Sequence, residues 1–251
     1  MSEQIQILQG DALAILPGIP DRSVDCVITD PPYSSGGAFR GDRVMSTGTK
    51  YQSSDAEKLP EFEGDSRDQR SFGYWCSLWM SECLRVTKPG GMFCTFVDWR
   101  QLPTVTDAMQ AGGWVWRGIA VWDKINARPV PNRFKQQAEF IVWGTKGPRS
   151  TETKDARYGL GVFSFNPPPT SSRVHATQKP HELLQLILDV ACPPGGTVLD
   201  PFLGSGSMAV ACEGVGRRLI GIEIDPYWAK VARKRFEQEE ENGALLREGA
   251  A

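Results

Sequence analysis

The sequence predicts an α/β protein built on a mostly parallel, twisted sheet with helices packed on both faces. Three observations predict it. Short apolar runs of strand length alternate with helical periodicity almost from end to end. The 251 residues are 40% apolar and 23% charged, ordinary values for a chain that buries a real core. Twice, an apolar strand runs straight into a Pro-rich or Gly-rich turn, the junction at which open α/β sheets hold their ligands. Nothing repeats at a fixed period, so 1–251 reads as a single domain.

Taken in order, the first strand is expected at Ile5 to Leu8, with a short helix after Asp11. A strand at Val24 to Thr29 follows, then a helix from Phe72 to Val86 that stops at Gly90-Gly91. Met92 to Val97 reads as a strand, Leu102 to Ala111 as a helix, and Val115 to Trp122 and Glu139 to Trp143 as two further strands. The helix from Pro180 to Ala191 has the strongest pattern: Leu183, Leu184, Ile187, Leu188 and Ala191 share one face, Pro180 opens it, and Gly195-Gly196 lie beyond its end. A strand at Thr197 to Asp200, a helix at Gly206 to Glu213, a strand at Leu219 to Glu223 and a helix at Pro226 to Glu240 complete the chain. Two long polar stretches, Ser34 to Arg70 and 145–174, fit no element. Loops of that length in a compact domain tend to carry function.

Several classes are excluded. No apolar run reaches the ~18 residues of a membrane helix. Met1-Ser2-Glu3-Gln4 has no basic region leading into an apolar one, so a cytoplasmic protein is expected. The six cysteines form no Cys-x-x-Cys pair, and neither a disulfide framework nor a metal site is expected. Net charge is -2, which announces no nucleic-acid partner. Charge is uneven, however. Arg117 to Arg149 holds seven basic residues against Asp123 and Glu139, a local excess of five positive charges.

Two motifs carry chemistry. Val27-Ile28-Thr29 runs into Asp30-Pro31-Pro32-Tyr33. The prolines fix φ and remove backbone donors, making a rigid turn that offers one carboxylate, one free carbonyl and one aromatic face. A planar base bearing an amino group would fill such a site, its NH2 held by two acceptors and its ring stacked on Tyr33. The second motif is Asp200-Pro201-Phe202-Leu203-Gly204-Ser205-Gly206 between a strand and a helix. Its glycines let a ligand approach the backbone. Twenty-three residues past Asp200, Glu223 ends the next strand, where an acidic residue can accept from ribose hydroxyls. Gly204, Gly206 and Ala209 also match a dinucleotide-binding Gly-x-Gly-x-x-Ala, but Asp200 beside the loop would repel a pyrophosphate. A ligand carrying sulfonium and ammonium charge would welcome it.

Together these motifs resemble the S-adenosylmethionine-dependent amino-methyltransferases of DNA, which methylate N6 of adenine or N4 of cytosine. Asp-Pro-Pro-Tyr precedes Phe-x-Gly-x-Gly (Phe202, Gly204, Gly206), which resembles the circularly permuted β arrangement of a Rossmann-like methyltransferase fold. Further matches are Gly10-Asp11-Ala12-Leu13, Trp122-Asp123-Lys124, Glu139 to Gly144 and His175-Ala176-Thr177-Gln178-Lys179-Pro180. Similarity therefore extends roughly from Ile7 to Phe236. Ala176 stands where the family usually has Pro, and the segment expected to read the target sequence, 145–174, is short.

The resemblance implies S-adenosylmethionine as cofactor and double-stranded DNA as partner, without metal or membrane. It implies that Asp30 and the Pro31 carbonyl hold the target amine, Pro32 stiffens the turn, and Tyr33 stacks on a flipped base. Phe202, Gly204 and Gly206 would shape the cofactor pocket beside Asp200, with Glu223 on the ribose, Asp11 near the adenine, and Thr177 and Lys179 on the methionine carboxylate. Lys124, Asn126, Arg128, Arg133 and Lys135 in the basic stretch are expected on DNA, with Arg40 and Arg43 of the 34–70 loop on its other side. Relatives of this arrangement form dimers, so a homodimer is an expectation too. The family's setting in restriction–modification suggests a partner nuclease that no residue here identifies. Starting the motif with Asp leans to N6-adenine. N4-cytosine, and an RNA or protein methyltransferase, remain as alternatives.

Overall fold

The structure is a computed structural model that describes residues 4–33, 67–150, 156–169 and 178–248. Within them eight strands form one sheet: β1 (Ile5–Gln9), β2 (Val24–Thr29), β3 (Thr87–Val97), β4 (Val115–Asp123), β5 (Ala138–Thr145), β6 (Val162–Ser164), β7 (Thr197–Asp200) and β8 (Arg218–Glu223). Their order across the sheet is β1-β8-β7-β2-β3-β5-β4-β6. The first five in that order are parallel, β5 runs antiparallel to β3 and β4, and β6 pairs parallel with β4. The expected α/β class, with its mostly parallel sheet, is the observed one.

Side-chain alternation along the central strands builds two cores. Cys26 and Ile28 of β2, Cys94 and Phe96 of β3 and Val198 of β7 point to one face. There they meet α4 (His181–Ala191), α5 (Ser207–Gly214) and α6 (Pro226–Glu248). Val27, Phe93 and Leu199 point to the other face, against α1 (Ala12–Ile15), α2 (Gln69–Val86) and α3 (Leu102–Ala111). Leu183, Leu184 and Leu188 of α4 are buried, and each is worth about 2–3 kcal/mol of apolar transfer. The apolar face read from the sequence is the face that packs.

Two details depart from expectation. Helix α2 does end at Val86, but no glycine stops it, since β3 begins at once with Thr87 and runs through Gly90-Gly91. The backbone turns extended at Thr87, with φ -79° and ψ 141°. The Lys146 ammonium donates to the carbonyls of Leu84, Arg85 and Thr87 at 2.6, 3.1 and 2.7 Å, placing a cation on the negative end of the helix. Strand β6 is absent from the sequence reading. It has three residues, too few for a period, and is held by pairing with Val121 to Asp123. The bond from Trp122 Nε1 to the Phe165 carbonyl, 2.9 Å, secures the same segment.

The chain leaves β7 toward β8 and β1 on one side, and leaves β2 toward β3 on the other. Strand order therefore reverses between β7 and β2, and such a switch point opens a crevice at the carboxyl ends of the two strands. Asp200 ends β7 and Asp30 follows β2. Topology brings the two motifs together although 170 positions separate these aspartates.

Candidate active site

A cleft occupies the switch point. Its lining includes Thr29 and Asp30 from the first motif, Asp200 to Ser205 without Pro201 from the second, Phe96 from β3, and Gln178 and Lys179 from the approach to α4. Thr29 Oγ1 donates to Asp200 Oδ1 at 2.7 Å and stitches the two strand ends together. The same oxygen accepts from the Phe202 N–H at 3.1 Å. Burial nonetheless raises the Asp200 carboxyl to about 7, partly countered by these hydrogen bonds. A cation entering the cleft would stabilise its charged form.

The glycine-rich loop is built on left-handed backbone: φ is +56° at Gly204 and +85° at Gly206. A side chain at Gly204 would meet nothing within 4 Å, so the loop leaves open space there. Glu223 ties this loop to β8, accepting from the Gly204 N–H at 2.7 Å and the Asp225 N–H at 2.9 Å. A carboxylate has about four lone-pair sites, so Glu223 retains capacity to accept more. Phe202 packs against Trp79 and Trp75, with ring centroids 5.0 and 5.3 Å away. Asp11 caps α1, its Oδ1 accepting from the Leu13 N–H at 2.8 Å.

Asp30 and Lys179, both in the lining, also belong to a largely buried charge cluster. Asp30 Oδ2 accepts from Lys179 Nζ at 2.5 Å, and Asp30 Oδ1 accepts from the Tyr33 hydroxyl. Glu139 Oε1 contacts Lys179 Nζ at 2.9 Å and the Tyr33 hydroxyl at 2.8 Å, while Oε2 pairs with Lys124 Nζ at 2.7 Å. Lys179 and Glu139 are 5% and 6% exposed, so these are ion pairs removed from water. Burial pushes both carboxyls up, but their partners differ. Lys179 and Lys124 together drag Glu139 down to about 2. Asp30 has Lys179 pulling it down against burial and the Glu139 charge, and it stays above the ordinary carboxylate range. Burial would lower the Lys179 ammonium, yet Asp30 and Glu139 outweigh it and raise its pKa. Tyr33 is raised well above a free phenol by burial and by the same two carboxylates.

Asp30, Lys179, Asp200, Phe202 and Gly204 thus meet at one cleft, Tyr33 is tied to it through Asp30, and Glu223 braces its loop. Lys179, expected on a cofactor carboxylate, is here shared between Asp30 and Glu139. Lys124, expected on DNA, is half-buried against Glu139, with its ammonium 5.3 Å from the Trp122 ring centroid. Asn126, Arg128, Arg133 and Lys135 stand exposed in the β4–β5 connection. That connection leaves the end of β4 that points the same way as the ends of β2 and β7. Lys135 Nζ donates to the Ile125 carbonyl at 2.5 Å and folds the connection on itself. Arg40, Arg43 and Thr177, with most of the 34–70 and part of the 145–174 stretches, lie outside the described residues.

Sequence reasoning assigned no role to Glu139. A signal was present: it is the one charged residue in the strand Ala138–Thr145, and a charge in a buried strand requires partners. Phe134 was also passed over. It is 97% exposed between Arg133 and Lys135, an apolar ring held in water among cations.

A family model described as DNA methylase matches residues 24–234. The Type II methyltransferase M.HinfI of Haemophilus influenzae is 29% identical over 257 residues, covering 92% of this chain and 68% of its own length. M2.DpnII of Streptococcus pneumoniae, also a Type II methyltransferase, is 28% identical over 255 residues, covering 94% and 90%. Among solved structures, the M1.HpyAVI–SAM complex superposes with a TM-score of 0.67 at 24% identity, covering 92% of this chain and 98% of that one.

Proposed function

The chain belongs to the DNA methylase family of N6 and N4 amino-methyltransferases, and from that premise we propose that it methylates N6 of adenine in double-stranded DNA. The donor would be S-adenosylmethionine, and the target base would be turned out of the helix. One observation carries the reading above all: Asp30 of the first motif and Asp200, Phe202, Gly204 and Ser205 of the second line a single cleft at the sheet's switch point.

The residues present suit that cofactor. Asp200 can take up its charge when a cation enters the cleft, the open side of Gly204 leaves room against the backbone, and Glu223 can accept from ribose hydroxyls. When bound, S-adenosylmethionine supplies an electrophilic methyl group. The chain's own work is orientation and electrostatics. Asp30 and the Pro31 carbonyl accept the two amine hydrogens, which localises a lone pair otherwise spread into the ring. Tyr33 offers the face on which the base stacks. Asp30, held above the ordinary carboxylate range, is placed to take the proton that the nitrogen sheds.

Digestion of DNA methylated by the protein, followed by mass spectrometry of the nucleosides, tests the reading. N6-methyladenine is the expected product. The choice rests on the resemblance, in which a motif that opens with Asp, as it does at Asp30, leans to adenine. N4-methylcytosine alone would overturn the base assignment and leave the rest in place.

The exposed cations of the β4–β5 connection would contact the DNA backbone, with Phe134 among them suited to stack or wedge against bases. Removing two phosphate contacts should lower the dependence of log K on log salt by about two units at most. Arg128→Ala with Lys135→Ala is therefore expected to weaken DNA binding and flatten its salt slope, measured by fluorescence anisotropy. An unchanged slope would move the DNA surface elsewhere.

A further inference from the structure

Both oxygens of Asp30 already accept a donor: Lys179 Nζ on one, the Tyr33 hydroxyl on the other. Each of those oxygens keeps a second lone-pair site, but turning the carboxylate toward a target amine draws it away from at least one of the two donors, and the Lys179 ammonium is buried. An abandoned buried donor, above all an ammonium, is expensive. Glu139 removes that obstacle, because Oε1 stands 2.9 Å from the same ammonium and 2.8 Å from the same hydroxyl. A phenol has one proton and can donate to only one of the two carboxylates at a time. We propose that Glu139 is a positioning residue that takes over the Tyr33 hydroxyl and the Lys179 ammonium while Asp30 turns to the amine.

The placement of Glu139 fits this task. It sits in β5 opposite Trp122 of β4, and Lys124 from the end of β4 fixes its second oxygen at 2.7 Å. One oxygen is thereby anchored, and the other faces the two groups that must change partner. Asp30, Tyr33, Lys179, Lys124 and Asp200 are the titratable groups whose charges bear on this exchange, and they come from four separate segments. The inference rests on the amino-methyltransferase reading, in which Asp30 is the acceptor of the amine.

The test is Glu139→Gln, with kcat and KM measured across pH, and with cofactor affinity and melting temperature measured on the same protein. Glutamine keeps the shape but loses the charge that holds Lys179. Lys179 should then close on Asp30, and kcat should fall about ten- to a hundredfold with little change in KM for DNA. The acid limb of the kcat profile should move to lower pH, since a negative charge that raises the Asp30 pKa is gone. Cofactor affinity by calorimetry should stay within about threefold.

A normal rate, or a fall equal at all pH with the acid limb unmoved, would overturn the proposal, because a merely structural role predicts the latter. If the single variant does not fold, Glu139→Gln with Lys124→Met removes one charge of each sign and leaves the Asp30–Lys179 pair balanced. Its acid limb must show the same displacement, and an unmoved limb again overturns the proposal. Asp30→Ala separates the two levels. An active Asp30→Ala enzyme would remove the underlying reading, whereas an inactive one beside a normal Glu139→Gln enzyme would remove this inference alone.

Discussion

Asp30→Ala is expected to lower methyl transfer about a thousandfold or more while cofactor binding persists, a loss at the upper range for one positioned proton acceptor. The two effects separate because the glycine-rich loop is held by Glu223 and Asp200, and Asp30, among the described residues, makes no hydrogen bond to it. Folding should survive for a specific reason: Lys179, which loses one carboxylate, keeps Glu139 at 2.9 Å. A buried ammonium still paired avoids the penalty of several kcal/mol that an orphaned one would bring. Transfer of a tritiated methyl group to DNA and calorimetry with S-adenosylmethionine measure the two quantities. Retained turnover would remove Asp30 from the mechanism. Loss of cofactor binding alongside turnover would mean that Asp30 shapes the whole cleft and not the amine end alone.

How much of this was legible beforehand depended on the range of the interaction. Helix α4 could be read because its signal is local: Leu183, Leu184, Ile187 and Leu188 recur at helical spacing, and their burial follows from that spacing alone. The two strand-to-turn motifs could be read for the same reason. Their meeting across the switch point follows from a general rule of open sheets. The charge cluster could not be read. Lys179 lies 149 residues from Asp30, and Glu139 lies 106 from Tyr33, so only the folded sheet brings them into contact. Composition counted Lys124 as one more cation of a basic stretch. The structure distinguishes it from Arg128 and Arg133, because β4 and β5 pair up to Asp123 and Ala138 and carry Lys124 back onto Glu139. Arg128, Arg133 and Lys135, in the connection between the two strands, remain exposed.

Gly206→Ala is the second change expected to have a large effect, and Gly204→Ala is its control. Both glycines have left-handed φ, at a cost of roughly 1–2 kcal/mol for any L side chain. They differ in what a methyl group would strike. At Gly206 it would stand 2.9 Å from Ala232 Cβ and 3.0 Å from Ala232 Cα. Ala232 is a buried residue of α6, and backbone cannot turn aside as a flexible side chain can. Either the loop or α6 must move, which adds about 1–3 kcal/mol of overpacking. The total of about 2–5 kcal/mol corresponds to a melting temperature lower by very roughly 5–15 °C in a chain of this size. Movement of the loop would also disturb the Gly204 N–H that Glu223 holds at 2.7 Å, so cofactor affinity should fall with stability. Gly204→Ala points its methyl into open space and should melt within a few degrees of the parent. It should nevertheless weaken the cofactor, because Gly204 lines the cleft. Thermal melts and calorimetry on the two variants distinguish the roles. Equal losses of stability in both would show that the φ penalty alone matters and that contact with α6 does not make Gly206 the costlier position.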